Sequence, residues 1–289
     1  MKESTRAALL MISAALCLSL VPVMVKALPP EIPVGEKLLF RGAVGAVVAW
    51  AAARRRGIPL FPGSPSLLLA RAMLGGTAML FYFVAIEGLT LAQAVTVNRL
   101  SPFFVAIFAA AFLGERLRVV QVAAIALAFL GVAIILRPGE VPAGRYALLA
   151  LGSAVLAGGA HTALRALRRH DRPEAVVFWF SAIITLMAVP LTIVGGGKLP
   201  DRPETLFLLG NGVFGVTGQL LMTAAYRYAP GGEVAMYGYL SVVYSVVWQL
   251  AFWGVLPSVS TVLGATLVLT AGWINWKCKH EPQGRSYHF

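Results

Sequence analysis

Displaced by 140 residues, the chain aligns with itself without a gap, and residues 7–137 match 147–277 at 23 positions. The matches include Leu9/Leu149, Ser13/Ser153, Pro33/Pro173, Phe40/Phe180, Gly75/Gly215, Thr77/Thr217, Ala85/Ala225, Leu100/Leu240, Ser101/Ser241, Phe112/Phe252 and Gly114/Gly254. A composition this rich in Ala, Leu, Val and Gly gives roughly half as many by chance. The chain reads as two copies of one unit, residues 1–140 and 141–280, followed by a tail, 281–289.

Hydropathy sets what each copy is. Only 12% of residues are charged, 58% are apolar, and the mean hydropathy is +0.79. Soluble domains carry about twice that charged share. Ten apolar runs have the length of a bilayer crossing: 7–26, 35–53, 67–86, 91–113, 118–136, 146–164, 174–194, 204–226, 233–255 and 259–276. Five spans per copy is an odd number, so the second copy must enter the membrane upside down. The expected fold is all-α, with ten transmembrane helices as two inverted five-helix repeats, an arrangement used by carriers. Lys2 and Arg6 before the first run are compatible with a signal peptide. The length of the run, the lack of an A-x-A site and its part in the repeat favour a span.

The net charge of +12 suggests nucleic acid only until it is placed. With the N-terminus inside, fifteen Lys and Arg residues fall on the inner side, from Lys2 and Arg6 to Lys277, Lys279 and Arg285. Six fall outside: Lys26, Lys37, Arg137, Arg145, Lys198 and Arg202. This is the positive-inside bias, and it predicts a multi-pass inner-membrane protein with both termini cytoplasmic and no nucleic-acid partner. Cys17 lies in a span and Cys278 in the expected tail, so no disulfide is expected. The run Lys277–Cys278–Lys279–His280 reads as a solvated basic tail, not as a metal site. No H-E-x-x-H, P-loop, G-x-S-x-G or pair of carboxylates within a span is present, so neither an enzyme nor a cofactor is expected.

Function then rests on polar groups inside the membrane, where they are costly. Arg99 stands near the middle of the fourth span, in Thr96-Val97-Asn98-Arg99-Leu100-Ser101-Pro102. Pro102 has no N–H to offer the Asn98 carbonyl, so a guanidinium, an amide and a loose carbonyl gather at one depth. Arg99 either grips a substrate's carboxylate or phosphate, or pairs internally, with Glu87 as the partner. Its counterpart in the second copy is Tyr239, on a span that also carries Tyr244, Trp248 and Gln249. Together with Asn98, Asn211, Gln219, Tyr82 and His161, these make the expected substrate-binding set. The eighth span holds Gly210, Gly212, Gly215 and Gly218, which suit close helix packing. Arg41, about one turn inside the outer face, either snorkels outward or joins the outer mouth. Glu87 and its repeat partner Arg227 lie at span ends as candidate gate or coupling residues, and Glu233 also approaches a span.

These features together resemble the drug/metabolite transporter superfamily, in its members built from two EamA-type domains. The resemblance covers residues 7–276. It is carried by Val25-Lys26-Ala27-Leu28-Pro29-Pro30, Glu36 and Phe40-Arg41, then Arg71, Ala85, Ala92, Ala94, Ser101-Pro102, Leu113-Gly114-Glu115 and Gly131. The second copy departs from it, with Val242 in place of the proline and Val255 in place of the glutamate. The resemblance implies a cavity lined mainly by spans one, three, four, six, eight and nine. It further implies a carrier for a small organic metabolite, an amino acid or derivative, with S-adenosylmethionine a specific possibility. The expected mechanism is alternating access by rocking of one repeat against the other, in a monomer embedded in the lipid bilayer. Two other functions stay open: a phosphorylated-metabolite exchanger, which would need more mid-depth cations than the one or two counted, and a non-transporting scaffold or lipid-handling component. Residues 7–27 contain no acid, which argues against a proton-driven quaternary-cation pump.

Overall fold

The structure, a computed structural model, describes residues 3–61, 63–113, 117–136, 144–167, 171–228 and 231–280. The tail 281–289, Glu115 and the side chain of Glu233 lie outside the described residues. Twelve helices make ten crossings: α1 (Glu3–Ala27), α2 (Val34–Arg55), α3 (Pro65–Gly88), α4 (Leu91–Asn98) with α5 (Ser101–Leu113), and α6 (Val119–Ile135) in the first repeat. The second holds α7 (Gly144–Leu167), α8 (Pro173–Val194), α9 (Arg202–Tyr228), α10 (Gly231–Gly238) with α11 (Leu240–Trp253), and α12 (Val259–His280). Seven crossings are long and apolar enough to be recognised by composition alone. α6 is shorter, and α2 is diluted by Glu36, Lys37, Arg41, Arg54 and Arg55.

Spans four and nine are each broken once, at equivalent positions. α4 ends at Asn98 and α5 resumes at Ser101, while α10 ends at Gly238 and α11 resumes at Leu240. In span four, Pro102 removes the amide that would have met the Asn98 carbonyl. The chain turns through tight bonds from the amides of Arg99 to Thr96 and of Leu100 to Val97. Span nine has no proline and breaks at Gly238, where the amide of Tyr239 reaches back to Met236. Thr90 opens α4 with a capping box, its hydroxyl accepting from the Gln93 amide at 3.3 Å while Gln93 Oε1 accepts from the Thr90 amide at 3.0 Å. The amide of Ala92 donates to Gln249 Oε1 at 3.1 Å, which fixes the start of α4 to α11.

Each helix finds its most extensive partner in the other repeat: α1 on α9, α2 on α8, α3 on α7, α6 on α12 and α4 on α11. Glycines set how closely these pairs approach. A Cβ on Gly42 of α2 would stand 2.7 Å from the Thr185 amide of α8 and 2.9 Å from the Ser181 carbonyl. Gly131 of α6 meets the Gly264 carbonyl of α12 in the same way. In α9, Gly210 faces Met24, Gly212 faces Val44 and Gly218 faces Leu18, so these three serve packing.

The α2–α8 pair is also tied at both ends. At one face Arg56 Nη1 donates to Glu174 at 2.7 Å, the amide of Gly63 to Asp171 at 2.7 Å, and Trp179 Nε1 to the Leu60 carbonyl at 2.6 Å. At the other, the amide of Lys198 donates to Glu36 at 3.2 Å. The Lys198 ammonium donates to Glu204 at 3.0 Å, which holds it above its ordinary pKa. The expected basic tail is partly structured: α12 runs on to His280, and Arg118 Nη1 donates to the Cys278 carbonyl at 2.9 Å. Both cysteines are free, and no cluster of metal-binding side chains occurs among the described residues.

Candidate functional site

A cavity of about 150 Å³ lies at mid-depth where the two broken spans meet α1, α2, α3, α7, α8 and α9. Three arginines line it: Arg41 from α2, Arg71 from α3 and Arg99 from the break between α4 and α5. Arg41 and Arg71 are fully buried, and Arg99 is half-buried with its Nε sealed from solvent. Among the described residues no Asp or Glu lines the cavity. The second repeat supplies Phe180, Gln219, Ser153, Ser241 and His161 to the lining, and the first adds Ser19, Tyr82, Asn98 and Ser101.

The repeat explains how the arginines fit. Gly75 and Gly215 are equivalent and identical, and each makes room for one guanidinium. A Cβ on Gly215 would overlap the Arg41 head group, and one on Gly75 would overlap Nη1 of Arg71. Arg71 is steadied by Phe180, whose ring centre lies 4.1 Å from its Cζ, and by Gln219, whose Oε1 accepts from Nη2 at 3.4 Å. Arg99 points across to span nine, its Nη1 3.1 Å from where a Cβ on Gly238 would stand. Asn98 is held by a bond from its Nδ2 to Ser153 Oγ at 3.1 Å.

Among the described residues, Nε and Nη2 of Arg41, Nε of Arg71, Nε of Arg99 and the hydroxyls of Ser181 and Ser241 have no hydrogen-bond partner. A buried cation without a counter-charge is costly, and several unpaired donors in one cavity set up recognition of an anion. Among the described residues Arg99 has no acid beside it, and the internal pair with Glu87 is not formed. Glu87 instead pairs with the buried Lys37 at 3.1 Å, at the face away from the N-terminus. Nearby, Lys26 Nζ donates to the carbonyls of Ile86 and Leu89 at 3.0 and 2.8 Å, which caps the end of α3. At the N-terminal face, Ala7, Met11, Leu68, Leu164, Val176, Met222, Tyr226 and Val234 pack into an apolar plug. Replacing Glu87 with Gln should destabilise the protein by about 1–3 kcal/mol, because Lys37 loses its counter-charge while staying buried. Thermal unfolding of Glu87→Gln beside Glu87→Asp measures this, and equal melting of both with wild type would contradict it.

The structure gathers Arg99, Asn98, Tyr82, His161, Gln219 and Arg41 around the cavity. It leaves the others out. Asn211 is buried but donates to the Lys37 carbonyl at 2.8 Å. Tyr239 packs its ring against Gly272 of α12, and Trp248 Nε1 donates to Ser19 Oγ at 2.9 Å from behind the lining. Tyr244 does not line the cavity either, so the aromatic wall expected from span nine is supplied instead by Tyr82, Phe83 and Phe180. Arg41 neither snorkels nor joins the mouth, since its chain turns inward over Gly215. Glu87 and Arg227 lie at opposite faces, each outside the cavity. Arg71 enters the sequence reading only through the family pattern. It is nevertheless recoverable, because Arg41, Arg71 and Arg99 are the three Lys and Arg residues that the inside and outside tallies leave over.

An inverted pair of five-span repeats with broken spans meeting at a charged mid-depth cavity defines a membrane carrier. The EamA-like transporter family matches twice, over residues 5–137 and 144–276, in step with the internal repeat. The chain belongs to that family, within the drug/metabolite transporter superfamily. It is 32% identical to the pseudopaline exporter CntI of Pseudomonas aeruginosa, over 91% of this chain and 93% of that one. It is 30% identical to a riboflavin transporter of Rhizobium johnstonii, over 70% and 67%, and 29% identical to human solute carrier family 35 member G1, over 72% and 61%. A solved crystal structure at 21% identity shares the fold, with a TM-score of 0.68 over 93% of this chain and 96% of that one.

Proposed function

We propose that this transporter carries an amino-acid derivative bearing more than one carboxylate, by alternating access and in the outward direction. The observation behind this reading is three arginines, two of them buried and one half-buried, around one cavity that among the described residues has no acid. One carboxylate engages Arg99 and Asn98, and a second engages Arg41 and Arg71, each guanidinium offering paired N–H groups that match a carboxylate. The similarity to a pseudopaline exporter supports export of an amino-acid-derived anion. S-adenosylmethionine and quaternary amines fit poorly, because a sulfonium or ammonium would meet three positive charges and no negative one. The phosphorylated-metabolite reading gains from the third arginine and is kept as the second reading. At about 150 Å³ the cavity admits a compact group, well below the roughly 300–1,000 Å³ of pockets for larger ligands, so the spans must part to load a substrate. The fifteen-to-six charge bias supports cytoplasmic termini, and the presence of both repeats in one chain supports a monomer.

Melting of the purified protein against a solute panel tests this. The panel holds N-carboxyalkyl amino acids, acidic amino acids, sugar phosphates, S-adenosylmethionine and quaternary amines. A ligand at a hundred times its Kd adds about 2.7 kcal/mol of stability. Stabilisation by the multiply carboxylated compounds alone is the expected result. Stabilisation by sugar phosphates alone selects the second reading, and stabilisation by the cations overturns both.

A further inference from the structure

We propose that the N-terminal face of the bundle holds a binding site for one anionic phospholipid, apart from the transport cavity. A second cavity, of about 560 Å³, lies between the start of α1, the end of α2, the start of α8 and the end of α9. Arg6, Arg56, Arg172 and Arg227 line it, against a single acid among the described residues, Glu174. Glu174 is already committed to Arg56 at 2.7 Å, so Arg6, Arg172 and Arg227 stand as excess positive charge. Arg6 is held in place over the Tyr228 ring, its Cζ 4.4 Å from the centre. The N-terminus of the long helix α8 opens onto the same cavity at Pro173, adding its positive dipole end.

The remaining wall is apolar and runs inward. Leu10, Leu220, Leu221 and Ala224 line it, and Leu220 is seven residues before Arg227 on α9, about 10 Å deeper in the membrane. A soluble phosphate would use the arginine rim and leave this wall empty. A phospholipid uses both, with its phosphate among Arg6, Arg172 and Arg227 and its upper acyl carbons along α9. Bilayer lipid reaches this side of the bundle, where α2 presents Val47, Val48 and Trp50 outward. Basic pockets between spans on one face of a membrane are a recurrent way of holding anionic head groups.

Native mass spectrometry of the full chain tests the site, with phosphatidylglycerol and phosphatidylcholine of matched acyl chains, glycerol 3-phosphate and inorganic phosphate as probes. One phosphatidylglycerol should be retained per protein, in preference to phosphatidylcholine and without displacement by either soluble phosphate. Each arginine near the head group contributes about fivefold, so Arg172→Ala with Arg227→Ala should weaken retention roughly twenty-five-fold. Ala224→Trp, which fills the wall and spares the rim, should weaken it too. If the double variant fails to assemble, Arg172→Gln alone is judged against the fivefold figure. Equal retention of the two lipids, displacement by free phosphate, or unchanged retention in the rim variants would each overturn the proposal. Arg99 and its cavity are untouched in all these variants, so stabilisation by transport substrate should persist.

Discussion

Replacing Arg99 with methionine should make the empty protein more stable and the substrate-loaded protein far weaker. The two effects share one cause. Arg99 holds a guanidinium at mid-depth with no acid beside it and its Nε unpartnered among the described residues. Placing such a charge near the centre of a bilayer costs about 2.5–3.5 kcal/mol on insertion scales. Methionine keeps the volume and removes the charge, so the empty protein should gain about 1–3 kcal/mol. Removing one partner of a buried charged contact costs about 2–5 kcal/mol of binding, which predicts a loss of affinity on the order of a hundredfold. Arg99→Lys should fall between, since it keeps the charge and loses the paired donors. Melting curves with and without ligand separate the two effects. A methionine variant that melts lower and binds normally would make Arg99 a brace and not a substrate contact.

The second large effect is expected at Gly42, which follows Arg41 in the chain but faces α8 and not the cavity. Here α2 and α8 cross so closely that a side chain meets backbone, the Thr185 amide and the Ser181 carbonyl. Backbone cannot rotate out of the way as a flexible side chain can. Gly42→Val therefore forces the helices apart along a seam that also includes Gly35 against Leu191 and Thr192. The cost should be about 3 kcal/mol or more, at the upper end for overpacked cores. Loss of folded protein in detergent, read by size-exclusion chromatography and unfolding, is the expected outcome. Gly57→Ala serves as a contrast: no atom lies near its Cβ position, and only its positive φ of 61° resists the change.

Much of this was legible in the sequence because two periodicities are coarse and strong. The repeat and the hydropathy gave the ten crossings, and Pro102 marked the break of span four; span nine has Val242 in place of the proline, carried no such mark, and breaks at Gly238 all the same. Which side of each helix faces the cavity was not legible. Tyr244 and Trp248 share a span with the break, but a few tens of degrees of rotation decide whether a ring lines a cavity or backs it. The inward turn of Arg41 was hidden for a related reason. Its distance from the face can be counted, but its direction depends on the space left by Gly215, 174 residues away. Arg71 carried no local signal beyond its charge. α2 and α8 belong to different repeats and are tied at both faces, which opposes rocking of one repeat against the other.

The interlacing of the repeats bears on how the protein is made. A membrane chain is inserted from its N-terminus, and domains generally complete their folding as they emerge. Here the first five spans cannot do so, because the best partner of each is still to be synthesised. For that interval all three cavity arginines sit in an unfinished half, without Phe180, Gln219 or the glycine at 215 that accommodates Arg41. The two repeats are thus a single folding unit, and its most exposed moment comes when the first repeat has been made and the second has not.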